Sequence, residues 1–222
     1  MGLFKSLFAR IAGVVIVLII VAGAGWYFFI REDNSAQKEA AAITIAGKSY
    51  KLVEGQSSAW YLAPEKLASL PTSSTAKGTT KGVTGEFHFA DGGLNPAKPT
   101  KFTVDLKGLT SDQGMRDRRV QDTLETGKFP SATFTATRLT GLPAEFTASD
   151  TAMQITGTFD LHGVQKDVTW ELKVKQEQGI LSGLATIKFK YSDFGIRKPD
   201  IGGFVSVEDE VTIQVQLFAA PA

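Results

Sequence analysis

The sequence predicts an all-β, antiparallel domain of about eight strands with one short helix, carried behind a single amino-terminal membrane helix. Three observations predict it. Dry and wet residues alternate at period two through "ITGTFDLHGVQKDVTWELKV", Ile155 to Val174, and the same alternation recurs from Ile43 almost to the end of the 222 residues. Clusters of Gly, Ser, Thr, Asn and Pro separate these runs, as turns separate strands. Near the amino terminus, "IAGVVIVLIIVAGAGWYFFI" holds twenty residues, Ile11 to Ile30, without a charge.

As a helix that apolar run would be about 30 Å long, the thickness of a bilayer core. Lys5 and Arg10 precede it, so the positive-inside rule makes residues 1–10 a cytoplasmic tail and sends the rest across the membrane. Residues 11–30 are the anchor, with Trp26 and Tyr27 near the outer interface. A cleaved signal peptide is the competing expectation, because Ala22-Gly23-Ala24 looks like a small-residue cleavage site. The uncleaved anchor is favoured because the apolar run continues through "WYFFI". Both readings export the body. The polar and alanine-rich residues 31–46 read as a linker.

The body occupies residues 47–219. "SYKLVE" and "SSAWYL" are its first strands. "LASLPTSSTAKGTTKG", Leu67 to Gly82, has loop chemistry, and its length suggests a flap. "VTGEFHF" and "KFTVDLK" alternate cleanly. "TSDQGMRDRRVQDTLETGKFP" breaks the pattern: Val120 and Leu124 have helical spacing, and Gly127 and Pro130 lie beyond them, so a short helix is expected. Strands resume with "SATFTATRL" and "AEFTA". "AMQITGTFDL" and "DVTWELKVK" follow, joined by a turn across His162–Lys166, and then "LSGLATIKFKY" and "VSVEDEVTIQVQLFA". In that last strand Asp209 shares the apolar parity of Val207 and Val211 unless a bulge intervenes.

Parity also assigns an inner face. Phe87, Phe89, Phe102, Val104, Phe134, Ile155, Phe159, Trp170, Leu172, Ile187, Phe189 and Ile213 all fall on the dry side of their strands. His88 alternates with two of them and should point outward. One-sided hydrophobicity fits a sandwich as well as a closed barrel, and the pattern does not choose between them.

Composition excludes several functions. Formal net charge is +1, which gives no electrostatic reason to expect nucleic acid. With no Cys and two isolated His, thiolate chemistry is absent and neither a transition-metal site nor a cofactor is expected. No nucleophile elbow, phosphate-cradling glycine loop or Ser-His-Asp spacing is present, so no catalytic residue is assigned. Glu208, Asp209 and Glu210 alternate sides of a strand and do not form a carboxylate pair by themselves. His162, beside a turn, is expected to hydrogen-bond the backbone there.

"MRDRRVQDTLETGKFPSATFTATRLTG", "ITGTFDLHGVQKDVTWELKV" and "YSDFGIRKPDIGGFVSVEDEVTIQVQL" together resemble successive blocks of the YceI-like family of bacterial periplasmic proteins. The likeness rests on an Arg-Asp pair followed by Phe-Pro and a strand, then the Gly-Val strand and turn, then Asp-Phe-Gly-Ile and Asp-Glu-Val. It covers about Lys48 to Phe218. The resemblance implies a lipocalin-like barrel whose tunnel binds an isoprenoid lipid, polyprenyl or quinone-like, without catalysis. It also implies that the inner-face residues line that tunnel, on the periplasmic side of a bacterial inner membrane. A homodimer is compatible with it. A barrel filled by its own side chains, or an accessory to a quinone-linked redox enzyme, are the alternatives.

Two departures from the family pattern stand out. Arg119 occupies a position where the family usually has His, and the stretch before "GVTGEFHF" is long. Arg116, Asp117, Arg119 and Arg197 are the candidates for a polar mouth, with Arg118 and Lys198 beside them. Arg116 and Asp117 either fasten the short helix or grip a polar head, and the fastening role carries more weight. The other cations read first as solvated loop charges.

Overall fold

The computed structural model describes residues 43–44, 47–67, 73–201 and 205–222. The expected cytoplasmic tail and membrane anchor, and most of the linker, lie outside the described residues.

The strands are β1 (Ile43–Thr44), β2 (Ser49–Leu52), β3 (Ser58–Leu67), β4 (Ser74–Thr80), β5 (Val83–Ala90), β6 (Gly93–Leu94), β7 (Lys101–Asp105) and β8 (Ser131–Thr140). They continue with β9 (Glu145–Phe146), β10 (Thr151–Leu161), β11 (Val164–Glu177), β12 (Ile180–Lys190), β13 (Asp200–Ile201), β14 (Val205–Val207) and β15 (Glu210–Pro221). Helix α1 (Gly114–Thr123) separates β7 from β8, and a 3-10 turn (Tyr191–Phe194) follows β12.

Antiparallel pairing runs β12–β11–β10–β8–β7–β5–β2–β15, and β15 pairs again with β12 over Leu181–Lys190. The ring therefore closes at eight strands, which decides between sandwich and barrel and leaves the ring no open edge. Two of the eight are bent. β15 pairs with β3 through Thr212–Gln216 and with β2 through Ala219–Pro221, so β2 and β3 act as one long strand interrupted at Val53–Ser57. Ser57 repairs the interruption: its fully buried hydroxyl accepts from the Phe218 N–H at 3.1 Å, taking the place of a ladder carbonyl. β4 and β5 form the second bent strand, with Asp105 donating its N–H to the Gly82 carbonyl at the bend, 2.7 Å.

Three expectations need correction. The flap expected at Leu67–Gly82 is in large part β4, paired with β3 from Ala59↔Thr80 to Glu65↔Ser74. Its inward residues Ala76, Gly78 and Thr80 are small, so the strand carries little hydrophobic signal. Gly78 is small for a reason: a Cβ there would run into the ring of Tyr61 on the neighbouring strand. Second, the turn after β10 is two residues, His162-Gly163, both at positive φ (56° and 75°), with Leu161 paired to Val164. That is the tight hairpin whose twist matches its strands. Val164–Lys166 belong to β11. Third, the last strand breaks at Glu208–Asp209: Val207 faces Glu65 but Thr212 faces Leu62, so two extra residues bulge out.

The helix forms where expected. Gln121 ties it down, donating from Nε2 to the carbonyls of Leu106 and Lys107, both at 3.2 Å. The loop it touches is fixed in turn by paired Thr79–Thr110 backbone bonds of 2.8 and 3.0 Å. The barrel interior is the core, with Tyr50, Phe146 and Phe194 almost wholly buried.

Candidate functional site

Alternation along each barrel strand turns one set of side chains inward. Between them lies a cavity of about 160 Å³. Ten of the twelve inner-face residues read from the sequence line it: Phe87, Phe102, Val104, Phe134, Ile155, Phe159, Trp170, Leu172, Phe189 and Ile213. Ile187 is buried core and does not border it. Phe89 borders a second, smaller cavity of about 20 Å³, together with Leu139, Phe146, Met153 and Val174. Phe87, Leu172 and Leu217 line both cavities and form the partition between them. Phe87 is braced from two sides, stacked on Phe89 (centroids 5.8 Å) and tilted against Phe102 (4.6 Å).

Other lining residues come from outside strand parity. Val120, Thr123 and Leu124 reach the cavity from α1 and its end, Leu109 from the loop fixed to β4, and Ile196 and Pro199 from the segment after the 3-10 turn. The helical spacing of Val120 and Leu124 was a visible signal for two of these. The loop residues carried none.

Polar lining is sparse and neutral. The Tyr61 hydroxyl is pushed up to about 12, mainly by burial, against a partial opposing pull from Arg116. Burial, reinforced by Tyr61, likewise pushes Tyr191 up to about 12. Both stay protonated at neutral pH. The Trp170 indole N–H is buried without a hydrogen-bond partner. Such a lining suits the burial of apolar matter with few polar contacts.

None of the four mouth candidates lines the cavity. Arg116 and Asp117 do not pair with each other. Arg116 bonds Asp112 on its own side and reaches Glu65 on β3, 3.4 Å away, while Asp117 accepts from the Ser111 N–H (2.8 Å) and hydroxyl (2.6 Å). Glu65 is 8% exposed and also accepts from Ser74, so Arg116 is a strut between α1 and the barrel. Arg118, Arg119, Arg197 and Lys198 are exposed, and no ion pair among the described residues involves them.

His88 lies on the outer face as expected, between the Ser49 hydroxyl (2.8 Å) and Glu86 (3.3 Å). His162 corrects its expectation: Nε2 has no hydrogen-bond partner, and the ring packs on Phe129 at 4.8 Å. The bulge turns Asp209 toward Ser192, whose hydroxyl is 3.5 Å from its carboxylate, while Glu208 and Glu210 stay exposed. Among the described residues no three metal-ligating side chains converge.

A closed eight-stranded antiparallel barrel with an apolar interior cavity under a short helix is the class these features define. Residues 50–219 match the family model described as a YceI-like domain, and the chain belongs to that family. It is 32% identical over 148 residues to a UPF0312 protein of Pseudomonas paraeruginosa, covering 60% of this chain and 72% of the relative. It is 33% identical to Protein YceI of Escherichia coli O157:H7 over 148 residues, covering 63% and 72%. Among solved structures, a polyisoprenoid binding domain from Saccharophagus degradans superposes with a TM-score of 0.60 at 16% identity, over 79% of this chain and 99% of that one. BcnA of Burkholderia cenocepacia superposes at 0.57 and 21% identity, over 76% and 99%. These two likenesses show the barrel fold.

Proposed function

We propose that the barrel binds an isoprenoid lipid, polyprenyl or quinone-like, in its interior and carries or sequesters it without chemical change. The apolar cavity enclosed by the strands is the observation that carries this reading. Its lining offers no charged side chain, and its polar side chains are of low reactivity: three hydroxyls, on Tyr61, Tyr191 and Thr123, and the indoles of Trp60 and Trp170. Family membership supports it, as does the solved Saccharophagus relative, described as a polyisoprenoid binding domain. The driving force is removal of the tail from water. At about 0.8 kcal/mol per buried CH₂-sized group, one five-carbon unit contributes roughly 4 kcal/mol, less the cost of immobilising it. In the same reading the apolar residues 11–30 hold the barrel at the periplasmic face of the inner membrane.

Extraction of the purified chain with organic solvent, followed by mass spectrometry, tests the function. The expected result is an isoprenoid at a substantial fraction of the protein's molar amount. An extract without isoprenoid, together with no uptake of a fluorescent prenyl probe by the lipid-stripped chain, would leave a barrel that serves as a structural module.

A further inference from the structure

Among the described residues three that are not glycine have left-handed backbone, and two of them meet at one contact. Glu125 (φ 46°) lies just past the end of α1, and His162 (φ 56°) opens the turn between β10 and β11. Such backbone is costly for a residue with a Cβ, and it gathers at switch regions and binding sites.

The hairpin tip abuts the tail of the helical cover. The His162 ring tilts against Phe129 at 4.8 Å between centroids, and Gly163 is so close that a Cβ there would meet the Phe129 ring at 2.6 Å. His162 Nε2 is buried with no hydrogen-bond partner, and the Glu125 carboxylate stands 3.8 Å away, beyond hydrogen-bond reach. Glu125 is firmly seated: its carbonyl accepts from the Lys128 and Phe129 N–H groups, both at 2.8 Å. Its neighbour Leu124 lines the large cavity.

A neutral imidazole leaves this contact incomplete, because a buried nitrogen goes unmatched in either tautomer. A proton makes the same nitrogen a charged donor opposite a carboxylate. The other charged groups around the contact are engaged elsewhere. Lys128 lies over the Phe129 ring at 4.7 Å, Lys166 on β11 is 3.4 Å from Asp193 on the 3-10 turn, and Asp160 on β10 accepts from Gln165 at 2.9 Å. The remaining fastenings of α1, Arg116 to Glu65 and Gln121 to the Leu106 and Lys107 carbonyls, contain no imidazole, the side chain that ordinarily changes charge between pH 5 and 8.

We propose that His162 and Glu125 form a pH-sensitive latch. In acid, protonated His162 pairs with Glu125 and fastens the tail of α1 to the hairpin; as pH rises the pair is lost and the cover loosens. The latch stands on this contact alone, while its use as a gate for cargo rests on the isoprenoid-binding reading above.

Hydrogen exchange of the full-length chain between pH 5 and 8, corrected for the intrinsic pH dependence of exchange, tests the latch. Protection in residues 119–129 should rise about 2- to 10-fold at the acid end, the range of a partly exposed charged pair. Glu125→Gln should abolish the rise. So should His162→Asn, which suits left-handed backbone and takes up no proton. The chain's other histidine, His88, has the Ser49 hydroxyl and Glu86 beside its two ring nitrogens, and His88→Gln should leave the rise intact. No rise in the unaltered chain, a rise that survives Glu125→Gln, or one abolished by His88→Gln each overturns the latch. Release of a fluorescent prenyl probe should slow by the same factor at pH 5. A probe that binds but leaves at one rate across the range overturns the gate; no binding at any pH overturns the isoprenoid reading, and the exchange result still decides the latch.

Discussion

Phe87 touches two compartments at once, and its position explains why inner-face residues are not interchangeable. It is 7% exposed and braced by Phe89 and Phe102, so its ring is both core and partition. Phe87→Ala should cost about 3–5 kcal/mol and join the two cavities. Phe102→Ala, from a less buried ring, should cost less. Thermal melts of the two lipid-stripped variants measure the difference, and the length of the longest prenyl probe retained measures the joining. A Phe87 variant no more destabilised than Phe102→Ala, and with unchanged length tolerance, would contradict the partition. Parity in the sequence identified ten of the lining residues because alternation reports which face a side chain takes. It does not report how far facing side chains reach across a barrel, so neither the partition nor the free volume was legible. Small residues hid Tyr61 as well: its room is made by Gly78, which contributes no hydrophobic signal of its own.

Helix α1 is an element held by polar struts and useful for its apolar underside. Val120 and Leu124 face the cavity, while Arg116 reaches Glu65 and Gln121 reaches the Leu106 and Lys107 carbonyls. Arg116→Ala would leave the Glu65 carboxylate with the Ser74 hydroxyl as its remaining partner. The expected cost is about 1–3 kcal/mol. Faster amide exchange should appear in residues 114–123 before it appears in β10 or β11, which hydrogen-exchange mass spectrometry resolves. Uniform acceleration across the barrel would show that the strut serves the whole fold and not the helix. The helix was readable from its Val120 and Leu124 spacing, the strands from alternation. β4 was not, because a strand whose inward positions are Ala, Gly and Thr looks like a loop. The break in the last strand was readable only as a condition: Asp209 on an apolar parity requires a bulge, and two extra residues supply it.

At the scale of the whole molecule, closure couples the strands, and two buried phenols tie the stability of the closed barrel to alkaline pH. Tyr61 and Tyr191 are pushed up to about 12 in the folded protein, mainly by burial, against about 10 in an unfolded chain. Below about pH 10 both states hold these protons and the stability is fully present. Between about pH 10 and about pH 12 the unfolded chain loses them first, so stability falls as pH rises. Tyr61→Phe combined with Tyr191→Phe should flatten the fall in Tm over that window relative to the unaltered chain. Identical alkaline slopes would mean that the phenols are not held protonated by the fold. Closure itself was beyond the alternation pattern, because sandwich strands and barrel strands expose one face in the same way. The resemblance pointed to the barrel, and the β12–β15 pairing shows it.

The pairing of β2 with β15 has a geometric outcome. The Ala222 N–H donates to the Ser49 carbonyl at 2.9 Å, so the barrel's first strand and the chain's last residue meet at one rim. Glu65 and its Arg116 strut sit at the opposite end of the bent β2–β3 strand. Any cargo spliced onto Ala222, whether a fluorophore, an affinity handle or a second domain, is therefore delivered to the rim remote from the helical cover. Because Ser49 and Ala222 adjoin, a short peptide could also join these two positions and new ends be cut at His162-Gly163, giving a circular permutant of residues 49–222 with every neighbour relationship of the ring intact.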